Sequence, residues 1–157
     1  MVDKMIRFFV PPELSNEQLA EVLCKFEKVL VTRQFTNGEN VRELEERVRV
    51  LHKVEHVIAC SSATQGLWMV LEALKPDTLM IQAFTWKSLL HILPLRPVTF
   101  SDVDKETWLM NPRVRTYWDF LPKAVIYTHT LGNMGVATVE TEEQNVIYDG
   151  AYSLGAD

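Results

Sequence analysis

No stretch of the 157 residues reaches the roughly 18 consecutive apolar positions that a membrane-spanning helix needs. The first fifteen residues, Met1 to Ser15, hold too short an apolar run for a secretory signal. No tract of lysine and arginine occurs, and the formal net charge is −5. Nucleic acid and anionic membranes are therefore set aside as main partners, because both require a basic surface. Cysteine is scarce. Cys24 and Cys60 lie in apolar stretches without metal-ligand spacing, so no metal site is expected. Their expected state is a pair of buried free thiols, as suits a soluble protein of a reducing, cytoplasmic compartment. Internal repeats and low-complexity segments are absent as well.

What is present is enough for one sizeable core. Hydrophobic residues make up 47% of the chain, and a chain of this size buries about 70% of its unfolded surface. One domain spanning residues 1–157 is the expectation.

The apolar period assigns the elements. Ser15 and Gln18 form a capping box, and Leu19, Val22, Leu23, Phe26 and Leu30 follow at helical spacing. A loop through Thr36, Asn37 and Gly38 leads to a second capping pair, Asn40 and Glu43. Val41, Leu44, Val48 and Leu51 then form the next stripe, with Arg42, Glu45, Glu46, Arg47 and Arg49 on a solvated face. After Lys53 the pattern changes. His56 to Cys60 is short and apolar, which predicts a strand buried on both sides. Ser61-Ser62-Ala63-Thr64 opens a helix from Gln65 to Leu74, closed by Pro76 and Asp77. Further strands are expected at Leu79 to Gln82, Val98 to Val103, Ala124 to Thr130 and Val146 to Asp149. Helices are expected from Trp86 to Leu93 and between Thr138 and Gln144.

Strands alternating with helices imply right-handed crossovers and a mostly parallel sheet in a three-layer α/β/α arrangement. Such sheets hold ligands beyond the carboxyl ends of their strands. Four groups stand there. Ser62, Ala63 and Thr64 join a strand to a helix, where free amides and hydroxyls suit a phosphate dianion. Trp86 offers a flat indole for stacking. His129 closes the strand before Gly132. Asp149 ends an apolar strand, a costly place for a carboxylate unless a cation meets it. Each residue alone also has an ordinary structural reading: an N-cap, a core indole, a structural histidine. Taken together they describe a phosphate cradle, a stacking ring and a partner for a protonated pyridine.

In these features the chain resembles the DegT/DnrJ/StrS-type family of pyridoxal-phosphate (PLP) dependent nucleotide-sugar aminotransferases, of the aspartate-aminotransferase fold type. The likeness runs from Gly38 onward. It rests on Asn40-Val41-Arg42-Glu43-Leu44-Glu45, Ser61-Ser62-Ala63-Thr64, Thr85-Trp86, Pro97-Val98 with Asp102-Val103-Asp104, His129 with Gly132, and Asp149-Gly150-Ala151-Tyr152-Ser153-Leu154-Gly155.

The resemblance implies that Ala63 and Thr64 bind the cofactor phosphate, that Trp86 stacks on its ring and that Asp149 pairs with its nitrogen. Tyr152 stands near the cofactor's phenolic oxygen, where the family usually has His or Gln. The link from Gly132 to Val146 is shorter than the family's. The family's covalent lysine comes well after the aspartate, whereas the sequence runs only eight residues past Asp149. Neither Lys87 nor Lys123 stands in for it, so no catalytic residue is assigned.

The expectation is the N-terminal part of a PLP-transferase large domain, truncated before that lysine, without the C-terminal small domain and inactive alone. Two alternatives remain: a non-catalytic binding or assembly module using the old cleft, and an enzyme completed by a partner chain carrying the lysine. A twofold homodimer is expected, with a nucleotide sugar as ligand.

Overall fold

The computed structural model describes residues 13–93, 97–110, 122–137 and 144–153, which divide into two compact units, Met1–Ala59 and Cys60–Asp157. The helix expected between Thr138 and Gln144 falls almost wholly outside the described residues, as do Leu154 and Gly155.

In the first unit, α1 (Asn16–Thr32) begins on the capping box the sequence indicates. Gln18 N–H donates to Ser15 Oγ at 3.2 Å, and Ser15 N–H donates to Gln18 Oε1 at 2.9 Å. Helix α2 (Glu39–His52) starts differently. Gly38 is its N-cap, so Asn40 lies inside the helix and is no cap. Glu43 is engaged elsewhere: Lys25 Nζ lies 3.1 Å from its carboxylate, and Arg47 pairs with its other oxygen. The Lys25 ammonium, foremost among these neighbours, holds the Glu43 carboxyl below the usual carboxylate range. Lys28 also reaches Glu39, at 2.6 Å, so charged pairs tie α1 to α2. Neither helix has a buried residue, and Leu19, Leu23, Phe26 and Leu51 are all exposed.

Residues 56–60 do not form the expected strand. An extended segment becomes a strand only when a neighbour supplies the ladder, and no described segment pairs with this one. Both cysteines are exposed rather than buried. Cys24 lies on a helix without a buried face, and Cys60 ends the unpaired segment, its thiol donating to Ser62 O at 3.2 Å.

The second unit is built on four parallel strands, β1 (Leu79–Gln82), β2 (Val98–Ser101), β3 (Ala124–Thr128) and β4 (Asn145–Asp149), in the order β2-β1-β3-β4. Burial follows that order. The central strands β1 and β3 are buried throughout, which is why their sequences are continuously apolar rather than alternating. The outer strands β2 and β4 are partly exposed. Strand β2 is shorter than expected: Val103 instead makes an isolated antiparallel bridge to Met110.

Both faces of the sheet are covered. On one, Leu67 and Leu71 of α3 (Ala63–Leu74) and Leu89 of α4 (Ser88–Ile92) pack on Leu79, Ile81, Ala124, Ile126 and Ile147. On the other, Leu109, Met110 and Ala137 pack on Met80, Val125 and Tyr127. Helix α4 is shorter than the Trp86 to Leu93 span, so Trp86 stays in the loop before it. Helix α3 starts two residues earlier than expected and ends at Leu74, with Lys75 as its C-cap in the left-handed conformation. No helix among the described residues is long and apolar enough to cross a membrane.

Candidate cofactor-binding site

Parallel pairing puts the carboxyl ends of all four strands along one edge of the sheet. Register fixes the neighbours: Gln82 stands beside Ser101, and Thr128 beside Asp149. The residues singled out in the sequence belong to the segments that leave or approach this edge.

Ser62 is the N-cap of α3, with its hydroxyl accepting from Gln65 N–H at 3.2 Å. Its carbonyl accepts from Gly66 N–H at 3.0 Å. The amides of Ser62, Ala63 and Thr64 have no intrahelical acceptor, because a helix cannot supply one to its first turn. Thr64 Oγ1 lies 2.8 Å from Ser88 Oγ, which joins the start of α3 to the start of α4.

Trp86 is two residues before Ser88, with 64% of its surface exposed. Its neighbour Thr85 approaches Thr128, hydroxyl to hydroxyl, at 3.4 Å. Thr128 in turn pairs with Asp149 in the β3–β4 ladder. A continuous set of contacts thus runs from Thr64 through the Trp86 loop to Asp149.

Asp149 is half-buried at the end of β4. Its Oδ1 accepts from Ala151 N–H at 3.3 Å, and no basic side chain pairs with it among the described residues. The turn beyond it is set close to the turn after β3. Gly132 sits at φ +85°, and a Cβ there would come within 3.2 Å of Tyr152 O. The Tyr152 side chain itself is exposed.

Two residues carry more than sequence reasoning gave them. Gln82 is completely buried at the end of β1, and its Nε2 donates to Phe84 O at 2.6 Å and to Thr130 Oγ1 at 2.5 Å. It pins the Trp86 loop to the turn after β3, while its Oε1 has no hydrogen-bond partner among the described residues. A glutamine closing an apolar strand was the available signal. His129 is buried, with both ring nitrogens engaged, Nδ1 with Ser153 Oγ and Nε2 with Gly135 O. Its tyrosine neighbours Tyr127 and Tyr148 pack against it, and burial pushes the Tyr127 hydroxyl up from its ordinary pKa.

The fold is that of the PLP-dependent aminotransferase large-domain sheet. A model of the DegT/DnrJ/EryC1/StrS aminotransferase family matches residues 16–157, and the chain belongs to that family. It is similar to a DegT DnrJ EryC1 StrS aminotransferase from Brucella abortus, with 26% identity and a TM-score of 0.73 over 89% of this chain. DesI, solved in the presence of its TDP-sugar product, is 28% identical over 73% of this chain, with a TM-score of 0.60. A GDP-4-keto-6-deoxy-D-mannose-3-dehydratase from E. coli with bound hydrated PLP shares the fold at 18% identity and a TM-score of 0.60, over 82% of this chain. The chain spans 43% of the Brucella protein's length, 30% of DesI's and 35% of the dehydratase's.

Proposed function

We propose that the second unit holds PLP, or its amine form pyridoxamine 5′-phosphate, in a nucleotide-sugar aminotransferase site. The observation that carries this reading is the run of contacts linking Thr64, the Trp86 loop and the Thr128–Asp149 pair along one edge of a parallel sheet. Three features suit a phosphorylated pyridine. The first-turn amides of α3, with the helix dipole behind them, favour a dianion. The exposed indole of Trp86 offers a stacking face. Asp149 supplies a carboxylate with no cation beside it among the described residues, suited to a pyridinium N–H.

Ser62, Ala63 and Thr64 would take the phosphate, Trp86 the ring face and Asp149 the ring nitrogen, with Tyr152 beside the phenolic oxygen. Bound PLP supplies an electron sink for carbanion chemistry. The contacts proposed for these residues are all non-covalent, so reversible binding is what they are expected to give. The substrate class follows from the family, as a nucleotide sugar.

Titration of the full chain with pyridoxamine 5′-phosphate, followed by tryptophan fluorescence, tests this. Saturable quenching is expected, about tenfold or more weaker with pyridoxamine, which lacks the phosphate and its charge-assisted hydrogen bonds. Trp86→Ala should remove most of the quenching. An equal response to both compounds, or none to either, overturns the cofactor reading and favours a non-catalytic module.

Self-association belongs to the same proposal. Strand β4 pairs only with β3 among the described residues, leaving one edge open, and open edges recruit further strands. A twofold dimer is the simplest closed solution. Sedimentation velocity should give twice the 18.1 kDa chain mass, and a monomer that persists at high concentration would refute it.

A further inference from the structure

We infer that His129 is a positioning residue that acts through Ser153 on the turn carrying Asp149 and Tyr152. The inference rests on the cofactor reading above, and it assigns that site a proton-dependent support.

The ring joins two loops. Its Nε2 faces Gly135 O at 3.1 Å, and its Nδ1 faces Ser153 Oγ at 2.9 Å. A carbonyl oxygen only accepts, so Nε2 carries a hydrogen in every state of the ring. The neutral ring is then the Nε2–H tautomer, and its Nδ1 accepts the Ser153 hydroxyl hydrogen. Ser153 Oγ has a second partner within reach, Gly150 O at 3.2 Å. When the ring takes up a proton, Nδ1–H donates to Ser153 Oγ and the hydroxyl hydrogen turns to Gly150 O. Each state satisfies every donor, and no heavy atom has to move. Only the direction of two hydrogen bonds and one unit of charge change.

The turn that receives this change is short and crowded. Ser153 N–H donates to Gly150 O at 2.9 Å, and a Cβ on Gly150 would lie 2.9 Å from Ser153 Oγ. His129 N–H donates to Asp149 O at 3.0 Å, so one residue holds both ends of the segment from Asp149 to Ser153. The titratable groups that face the ring are the hydroxyls of Tyr127 and Tyr148, at ring separations of 6.0 and 5.6 Å, whereas Asp149 meets His129 through the backbone. The charged imidazole adds a hydroxyl bond to the turn that carries Asp149, from Ser153 Oγ to Gly150 O. Affinity for the cofactor is therefore coupled to the proton on His129.

Two readouts on the full chain test this. The first is the histidine ring 15N NMR spectrum, which requires no cofactor. It should show His129 as the Nε2–H tautomer when neutral, with a titration that Ser153→Ala shifts. An Nδ1–H tautomer, or a titration indifferent to Ser153→Ala, overturns the inference. The second readout is pyridoxamine 5′-phosphate affinity across pH. The native chain should bind more tightly where the NMR shows the ring protonated. Ser153→Ala should bind about fivefold more weakly, the change that losing one hydrogen bond brings, with a flattened pH profile and an unchanged far-UV spectrum. If Ser153→Ala binds as the native chain does at every pH while Thr64→Ala is impaired, the cofactor site stands and the positioning role falls. If the native chain does not bind the probe at all, the cofactor reading falls and this role with it.

Discussion

Asp149→Asn is expected to weaken pyridoxamine 5′-phosphate binding by about one to two orders of magnitude, the range for losing a hydrogen bond to a charged partner. The substitution removes charge and little else. Asparagine has nearly the shape of aspartate, and its amide oxygen can still accept from Ala151 N–H, which Asp149 Oδ1 now does at 3.3 Å. The β3–β4 ladder is untouched, because Thr128 and Asp149 meet there through the backbone. What disappears is the carboxylate that a pyridinium N–H would meet. A neutral amide can accept that hydrogen bond without stabilising the charge behind it. Fluorescence or calorimetric titration at fixed pH measures the change, with far-UV circular dichroism to verify the fold. Binding as tight as that of the native chain would take the ring nitrogen away from Asp149, whatever the fate of the phosphate cradle.

The second large effect is one of stability. Ile126→Ala should cost about 2–5 kcal/mol, the usual range for truncating a buried isoleucine. Ile126 is fully buried in β3, in register with Ile81 on one side and Ile147 on the other. All three belong to the cluster beneath α3 and α4. Removing the branched chain leaves a cavity that neighbours on two strands cannot close without breaking register. Against a typical folding free energy of about 5–15 kcal/mol, this loss is large. Phe100 on the outer strand β2 is more than half exposed, so Phe100→Ala should cost far less. Urea unfolding of both variants, read as the shift in midpoint at constant m-value, measures the contrast. Equal effects would mean that β3 is not the centre of the sheet.

The same contrast between central and outer strands explains how much of the fold is legible in the sequence. Leu79 to Gln82 and Ala124 to Thr128 are apolar at nearly every position because helices or loops cover both of their faces. That composition is plain from the residues alone. The end of β2 is not. Val103 falls in the same expected strand as Val98 and Phe100, yet it pairs backwards with Met110, a partner that chain folding alone supplies. Asn40 and Glu43 show a different limit. Their spacing fits a capping box, but Glu43 meets Lys25 and Arg47, and the helix starts at Glu39 instead. A spacing rule sees one helix and not the cations its neighbours bring.

The candidate site divides in the same way. Ser62 to Thr64 as the link from an extended segment into a helix, Trp86 soon after a strand and Asp149 as the last residue of a strand are local facts, readable from a few adjacent positions. Gln82 and His129 are not local. Gln82 draws its importance from Thr130, and His129 from Gly135 and Ser153, residues 48, 6 and 24 positions away.

By itself the sequence determined the alternation of strands and helices, the apolar runs that become β1 and β3, the cap at Ser15 and the acid that closes β4, because each depends on neighbours in the chain. Only the tertiary structure decided that 56–60 pairs with no strand among the described residues, that both cysteines are exposed and that one buried histidine braces the turn after Asp149. Ladders, burial and ring tautomers are properties of pairs, and the second member of each pair is brought by folding.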